Sequence, residues 1–467
     1  MNWFDVYPKS VLSGKESIVK IRPRYADRRF PADKSAIKIT YHPHDCVAAN
    51  DPAKGFNWTK GDSILPDSMW ELSNGELIIK MVFAGEQEHR FCIEFEFEEM
   101  NEAYPVYAKK IVKFSAAVYS LKEDLYSLRP YKGDLHIHSF KSDGQADPRY
   151  VAARYREEGF DFAAITDHKQ YQPSLDTIAY WEGKKCAGFK LYPGEEVHTP
   201  DNSDHIINFA AKKSINTMYR EDEETYRKEV AGYINDIPDE DKIEGANLFE
   251  VAASEWAFDK IRENGGLAVF CHPYWKTYTN VLPEALVSNI FKRRKFDALE
   301  LIGGFQSFEH ESNNFQVVRW MEERLKGTDF PVIGASDSHG TDMFDNTPAP
   351  RQSYADPANM PLFCWYYTIV FAEENTAESL IANIRKFHSV AVCAEEEKYP
   401  HVYGDSRIVK YTNFLLKEYF PLLKQRCKVE GLLMQDFLAT GDEKLLNALR
   451  ELDQNTISFC DKCFPCK

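Results

Sequence analysis

The stretch GDLHIHSFKSDG, Gly133 to Gly144, places His136 and His138 two residues apart and Asp143 five residues further on. Side chains alternate across a strand, so the two imidazoles share a face while Leu135 and Ile137 share the other. Apolar residues between and beside the histidines imply a half-buried strand, whose histidine face looks into a site. Imidazoles and carboxylates at such a place serve proton transfer or metal ligation.

The same residue types end the strands that follow. They read Asp167-His168, then Glu195-Glu196 with His198, then His205 before IINFA, His272 after LAVFC, Glu300 after DAL, and Asp337 with His339 after VIGAS. A histidine beside proline, as in His272-Pro273, can be a turn residue and nothing more. Nearly every strand of one domain ending in His, Asp or Glu is not a chance pattern, because the C-terminal strand ends of an α/β barrel face its active site. Imidazoles and carboxylates without cysteine suit zinc, manganese or iron. They outnumber the ligands of one tetrahedral ion, so the set predicts a multinuclear cluster, with two ions roughly 3.5–4 Å apart across a shared carboxylate. His136, His138 and Asp143 read as ligands of that cluster.

Three regions must position these residues. Residues 1–130 are rich in alternating or apolar runs such as ESIVKIRPR, ELIIKMVF and RFCIEFEFE, divided by turn signals such as Ser73-Asn74-Gly75, and predict an N-terminal all-β, sandwich-like accessory domain. Across residues 131–402, short apolar strands alternate with helical stretches, among them DPRYVAARYREEG with Asp147 as N-cap and Pro148 at N1, and VAASEWAFDKIRENGG with a Gly265-Gly266 stop. This rhythm predicts a mostly parallel, barrel-like α/β domain. Residues 403–467 form a helical extension broken or kinked at Pro421 and expected to pack on the barrel. The charge-rich insert 214–244 reads as a solvated helix-and-loop excursion, with a lid over the site as its alternative.

The 467 residues leave room for two or three domains, and 43% hydrophobic with 14% aromatic residues is a globular composition. A formal charge of −16 argues against an extended nucleic-acid surface. The N-terminus MNWFDVYPKS lacks a basic or apolar leader and no run of eighteen apolar residues occurs, so no membrane segment and a cytoplasmic location are expected. Most of the 10 cysteines have apolar neighbours and read as reduced core thiols; Cys460, Cys463 and Cys466 lack a fourth metal partner and read as an idle, flexible tail. His42 and His44 flank a proline with only Asp45 and Cys46 beside them, a poor basis for a metal site.

The order HxH, SDG, TDH, GxE, H, HP, DxH over residues 131–395 resembles the PHP superfamily, the polymerase-and-histidinol-phosphatase metal-dependent phosphoesterases. The resemblance implies a distorted (β/α)7 barrel with up to three metal ions at its C-terminal face. It assigns His136, His138 and Asp337 to the first ion, Glu196 as a bridge to a second held by His205 and His272, and Asp143, His168 and His339 to a third. It favours Glu196 over Glu195, since one residue separates the glycine from the bridging glutamate. Asp167 becomes a neighbour supporting His168 or the cluster. His198 has no usual counterpart and is a supporting residue, a substrate contact or structural. Glu300 orients a ligand imidazole or pairs with a base, and His310 has no assigned role.

The implied reaction is hydrolysis of a phosphate ester: a metal-bridging hydroxide attacks phosphorus, Asp337, Glu196 and His272 act at the reacting centre, and Lys276 and Arg351 are candidate phosphate contacts. The expected cofactors are two to three divalent ions (zinc, manganese or iron), and the expected partner is a small phosphorylated substrate, a nucleotide or a short oligonucleotide. The leaving-group acid and the oligomeric state are not legible. Two alternatives stand beside this reading: an amidohydrolase-like hydrolase of C–N or C–O bonds, and a non-catalytic, metal-stabilised binding protein.

Overall fold

The computed structural model describes residues 3–25, 29–45, 63–100, 107–184, 186–275, 282–304, 311–340, 362–394 and 399–465. The chain is mixed α/β and divides into two units. One comprises residues 1–128 with 410–422 and 457–467; the other comprises 129–409 with 423–456.

The first unit is built from two sheets. Phe4–Tyr7, Glu16–Pro23, Glu76–Val82 and Trp70–Ser73 form an antiparallel four-stranded sheet. Ser10–Leu12, Tyr107–Leu121, Gln87–Met100, Ile37–Pro43 and Ser63–Ile64 form a five-stranded one. Alternation along Glu16–Pro23 buries Val19 and Ile21 and exposes the residues between them. Both sheets feed one core, including Ile21, Leu77 and Ile79 from the first and Ile39, Phe91 and Val118 from the second. A buried polar chain crosses that core: Tyr41 OH lies 2.7 Å from His89 Nδ1, and His89 Nε2 lies 2.7 Å from Ser120 Oγ. Ser120 in turn donates to the Gly85 carbonyl, so its proton is committed away from the imidazole.

The second unit also holds two sheets. The six-stranded sheet runs Lys190–Leu191, Phe162–Ala163, Arg129–Asp134, Tyr366–Ala372, Ser389–Cys393, His401–Gly404. The five-stranded sheet runs Gly194–Val197, Ile206–Phe209, Leu267–Phe270, Ala298–Ile302, Val332–Gly334. Isolated bridges pair Ile137 with Ser338 and His168 with Glu196, linking strand ends of the two sheets. Pairing is mixed rather than mostly parallel. Gly194–Val197 and Ile206–Phe209 are antiparallel because the eight residues between them are too few for a crossover helix. Most of these strands are buried on both faces. One side packs Leu135, Phe162, Ile207, Val269 and Ile333 into an inner core, and the other packs Phe270 and Leu299 against helices Leu248–Glu263 and Glu284–Arg293.

Helix Pro148–Glu157 begins where its sequence signals place it, with Asp147 accepting the Arg149 N–H. Helix Leu248–Glu263 stops before Gly265, at φ +81°. The 214–244 segment is more than a solvated excursion: helices Ile215–Glu221 and Glu223–Asn235 bury Tyr219, Tyr226 and Val230, and Tyr226 stacks edge-on to Trp256 at 4.9 Å. A break falls at Tyr419, between helices Ser406–Glu418 and Phe420–Thr440, so that Pro421 stands in the first turn of the second helix rather than at the break itself. The cysteine-bearing tail is not a flexible strand of chain up to residue 463. Cys460 and Cys463 lie in helix Glu443–Cys463, with Cys463 buried; Cys466 lies outside the described residues. No described helix is long and apolar enough to cross a membrane.

Candidate metal centre

Past strand Arg129–Asp134 the chain stays extended, and alternation sends Leu135 into the inner core while His136 and His138 turn the other way. Their Nε2 atoms approach to 3.1 Å. Asp337, on the residues following strand Val332–Gly334, closes this group with Oδ1 at 3.2 Å from His136 Nε2 and 2.9 Å from His138 Nε2. The Ile137–Ser338 bridge fixes that register.

Glu196 is the hub. It sits on strand Gly194–Val197, its side chain wholly buried. Oε1 lies 2.8 Å from His205 Nδ1 and 3.4 Å from His272 Nε2, and Oε2 lies 2.5 Å from His168 Nδ1, 3.5 Å from His138 Nε2 and 3.6 Å from His136 Nε2. Asp143, 54% exposed, stands beyond: it is 3.4 Å from His168 Nε2, 3.3 Å from His339 Nε2 and 3.9 Å from His138 Nδ1. Among the groups whose donor atoms lie within bonding range of a shared ion are His136/His138/Asp337, Glu196/His205/His272 and His138/Asp143/His168/His339.

Neighbouring residues hold the donors in place. Glu195 points to the opposite face from Glu196, where it accepts from Asn208 Nδ2 (3.0 Å), Ser214 OH (2.7 Å), Ile215 N–H (2.5 Å) and Asn216 Nδ2 (2.9 Å). It anchors the start of helix Ile215–Glu221 and is not part of the donor set. Asp167 accepts from Ser139 N–H, Ser139 OH and Ser142 OH, each at 2.7 Å, and so shapes the turn that presents Asp143. Gly144 is required in that turn, since a Cβ there would lie 2.8 Å from the His138 carbonyl carbon. His339 Nδ1 donates to the Asp337 carbonyl at 2.8 Å, leaving Nε2 for Asp143. His272 and Asp337 both adopt positive φ, +29° and +48°, conformations a side chain pays for and that cluster at functional sites.

Two acids that sequence reasoning passed over lie against the centre. Asp134 accepts from the His136 N–H, the Ser336 N–H and Tyr155 OH, and burial pushes its carboxyl up to about 7. The signal was present: Asp134, His136 and His138 share one parity along the strand. Asp204, beside His205, accepts from Ser254 OH at 2.9 Å and is likewise pushed up to about 7 by burial. Lys276, Arg351 and His310 lie outside the described residues.

The electrostatics fit cations. Burial works against every charge here, yet His168, His205 and His136 hold the Glu196 carboxyl well below the usual range, and His136, His138 and His339 do the same for Asp337. Burial would lower His136, but Asp337, Glu300 and Glu196 raise it well above an ordinary imidazole; Glu196 and Asp143 likewise lift His168 to about 10. Burial with His339 nearby drives His138 down to about 3, and burial drives His205 down to about 4. Protons on some imidazoles thus balance the carboxylates around them, and divalent ions would replace those protons. The hydrogen bonding agrees. Both Glu196 oxygens, Asp337 Oδ1 and His205 Nδ1 are buried without a hydrogen-bond partner, so His205 Nδ1 faces Glu196 at 2.8 Å without hydrogen-bond alignment. Such orphaned atoms are costly unless something else satisfies them. Cys271 donates its thiol to the His205 carbonyl at 3.0 Å, and burial raises it well above an ordinary thiol; its sulfur nonetheless groups with His136 and His272 within reach of a shared ion.

No protein-family model matches the chain. A stretch of 53 residues, 11% of the chain, is 45% identical to the DNA polymerase/3′-5′ exonuclease PolX of Bacillus subtilis (strain 168) and spans 9% of that protein. Among solved structures, a two-domain protein of Bacteroides vulgatus containing a predicted PHP-like metal-dependent phosphoesterase is 16% identical, over 57% of this chain and 65% of its own, with a TM-score of 0.34. A protein of Bifidobacterium adolescentis, assigned as a metal-dependent phosphoesterase, is 18% identical over 44% and 87%, and an amidohydrolase of Chromobacterium violaceum is 16% identical over the same shares, both with a TM-score of 0.29. The chain therefore spans less than two thirds of the first of these structures and under a tenth of the polymerase. Its ordered HxH, SDG, TDH, GxE, HP and DxH motifs, which resemble those of the PHP superfamily, converge on one imidazole-and-carboxylate centre.

Proposed function

We propose that the chain is a metal-dependent phosphoesterase whose two sheets of residues 129–404 form one distorted (β/α)7 barrel carrying two to three divalent ions. The observation that carries this reading is Glu196: a fully buried carboxylate with no hydrogen-bond donor on either oxygen, ringed by five imidazoles at 2.5–3.6 Å. Bound divalent ions supply an activated water and neutralise charge on the phosphoryl oxygens.

The chain's residues then divide the work. His136, His138 and Asp337 would hold one ion, Glu196 with His205 and His272 a second, and Asp143, His168 and His339 a third. Asp337 is 18% exposed where His136 is fully buried, so it is the member of its set that water reaches and would be the acceptor for a proton there. Glu300 and Asp167 position ligands rather than touch substrate. A net charge of −16 supports a small phosphorylated substrate over an extended nucleic acid.

The test is phosphate release from a panel of phosphomonoesters and phosphodiesters, with amides and lactones alongside, by wild type, His136→Ala and Glu196→Ala. Phosphate release lost in both folded variants supports the reading. Turnover of amides alone, or undiminished release by the variants, overturns it.

A further inference from the structure

His198 stands apart from the expected donor set, yet it is placed as they are. Glu196 and His198 lie two apart along one extended segment, as His136 and His138 do, and therefore share a face. Its backbone is pinned: the His198 N–H donates to Asn216 Oδ1 at 3.1 Å, while Asn216 Nδ2 donates to the Glu196 carbonyl and to Glu195 Oε2, each at 2.9 Å. Tyr219 OH donates to the same Asn216 Oδ1. Helix Ile215–Glu221, which carries Asn216 and Tyr219, thus aims the ring.

The ring is aimed at the centre. His198 Nε2 lies 2.9 Å from His168 Nδ1 and 3.7 Å from Glu196 Oε2, while His168 Nδ1 lies 2.5 Å from the same oxygen. A proton on His168 Nδ1 can serve Glu196 or His198 but not both well. Ligands bound at 2.0–2.1 Å to one ion sit roughly 2.9–3.4 Å apart, and the three edges of this triangle scatter about that range. His168 also has a nitrogen for each side, since Nε2 faces Asp143 at 3.4 Å.

Resting on the metal-centre reading above, we infer that His198 is itself a metal ligand, which completes with Glu196 and Nδ1 of His168 a nitrogen-rich position for a borderline ion such as zinc or ferrous iron. His168 is then the residue that two positions contend for. The His-x-His pair of one strand is answered by a Glu-x-His pair on another.

Full-length wild type, His198→Gln and His136→Ala are loaded with zinc, and ions per chain are counted during titration with a competing chelator. His198→Gln is expected to lose one ion at least tenfold more readily while retaining the others. Independently of any variant, the zinc anomalous density of crystals of the loaded wild type is expected about 2.0–2.2 Å from His198 Nε2. Unchanged zinc retention in His198→Gln, or density more than 3 Å from that nitrogen, overturns the inference while leaving the centre intact. A wild type that holds no zinc overturns the inference, and one that holds neither zinc nor manganese overturns both.

Discussion

Glu300 Oε2 lies 2.9 Å from His136 Nδ1, both side chains fully buried, and this contact decides which nitrogen of His136 faces the centre. With Nδ1 donating to the carboxylate, Nε2 points at Asp337 and Glu196 and is the nitrogen whose proton an ion would displace. Partners of this kind fix the tautomer of a ligand imidazole and raise its basicity. Glu300→Gln therefore weakens retention of one ion by about 10–100-fold, read by chelator competition on the folded protein. Retention equal to wild type would remove Glu300 from the centre's support.

Asp167 acts through a turn. Its three hydrogen bonds to Ser139 and Ser142 hold the loop that presents Asp143. Asp167→Ala frees that loop and leaves the buried Ser139 N–H unpaired. The ion nearest Asp143 is expected to be lost about 10–100-fold more readily, with those near Glu196 kept. Simultaneous loss of all ions would show that Asp167 supports the whole centre.

Adjacent glutamates separate stability from ligation. Glu195→Ala strands four donors and is expected to destabilise the metal-free chain by about 2–4 kcal/mol, seen as a lower unfolding midpoint in urea. Glu196→Gln instead abolishes metal retention. If the two variants gave the same pair of results, the opposite-face assignment would be wrong.

His89 is expected to make the stability of the first unit depend on pH. Burial holds its imidazole down at about 4, with Tyr41 and Ser120 on its two nitrogens. An unfolded histidine titrates near 6.5. Because the folded value is the lower one, the contribution to stability is complete above pH 6.5 and is lost as pH falls towards 4, by up to about 3 kcal/mol. His89→Gln keeps a polar side chain that does not titrate. Its unfolding midpoint is expected to change less than that of wild type between pH 7 and 4.5, and parallel profiles would refute this origin.

What the sequence discloses about the centre follows from its periodicity. His136 and His138 are legible because alternation with Leu135 and Ile137 shows which face they share. The choice between Glu195 and Glu196 is not settled by local pattern. What distinguishes them in the fold is Asn208, Ser214 and Asn216, which surround Glu195 only after the chain folds back on itself. Asp134 shares the parity of His136 and His138, but what it holds in place depends on Tyr155 and Ser336, far away in sequence. Helix starts such as Asp147-Pro148 are local and fall where expected. The mixed strand pairing is not local, and the burial of Tyr226 and Val230 in a charge-rich segment depends on the helix carrying Trp256.

The central claim is that these side chains converge to hold ions, and the direct measurement is the metal content of freshly purified full-length protein by elemental mass spectrometry. The account predicts two to three zinc, manganese or iron ions per chain, lost when His136 and His138 are both replaced by alanine. No bound ion, even after incubation with zinc and manganese, would contradict it.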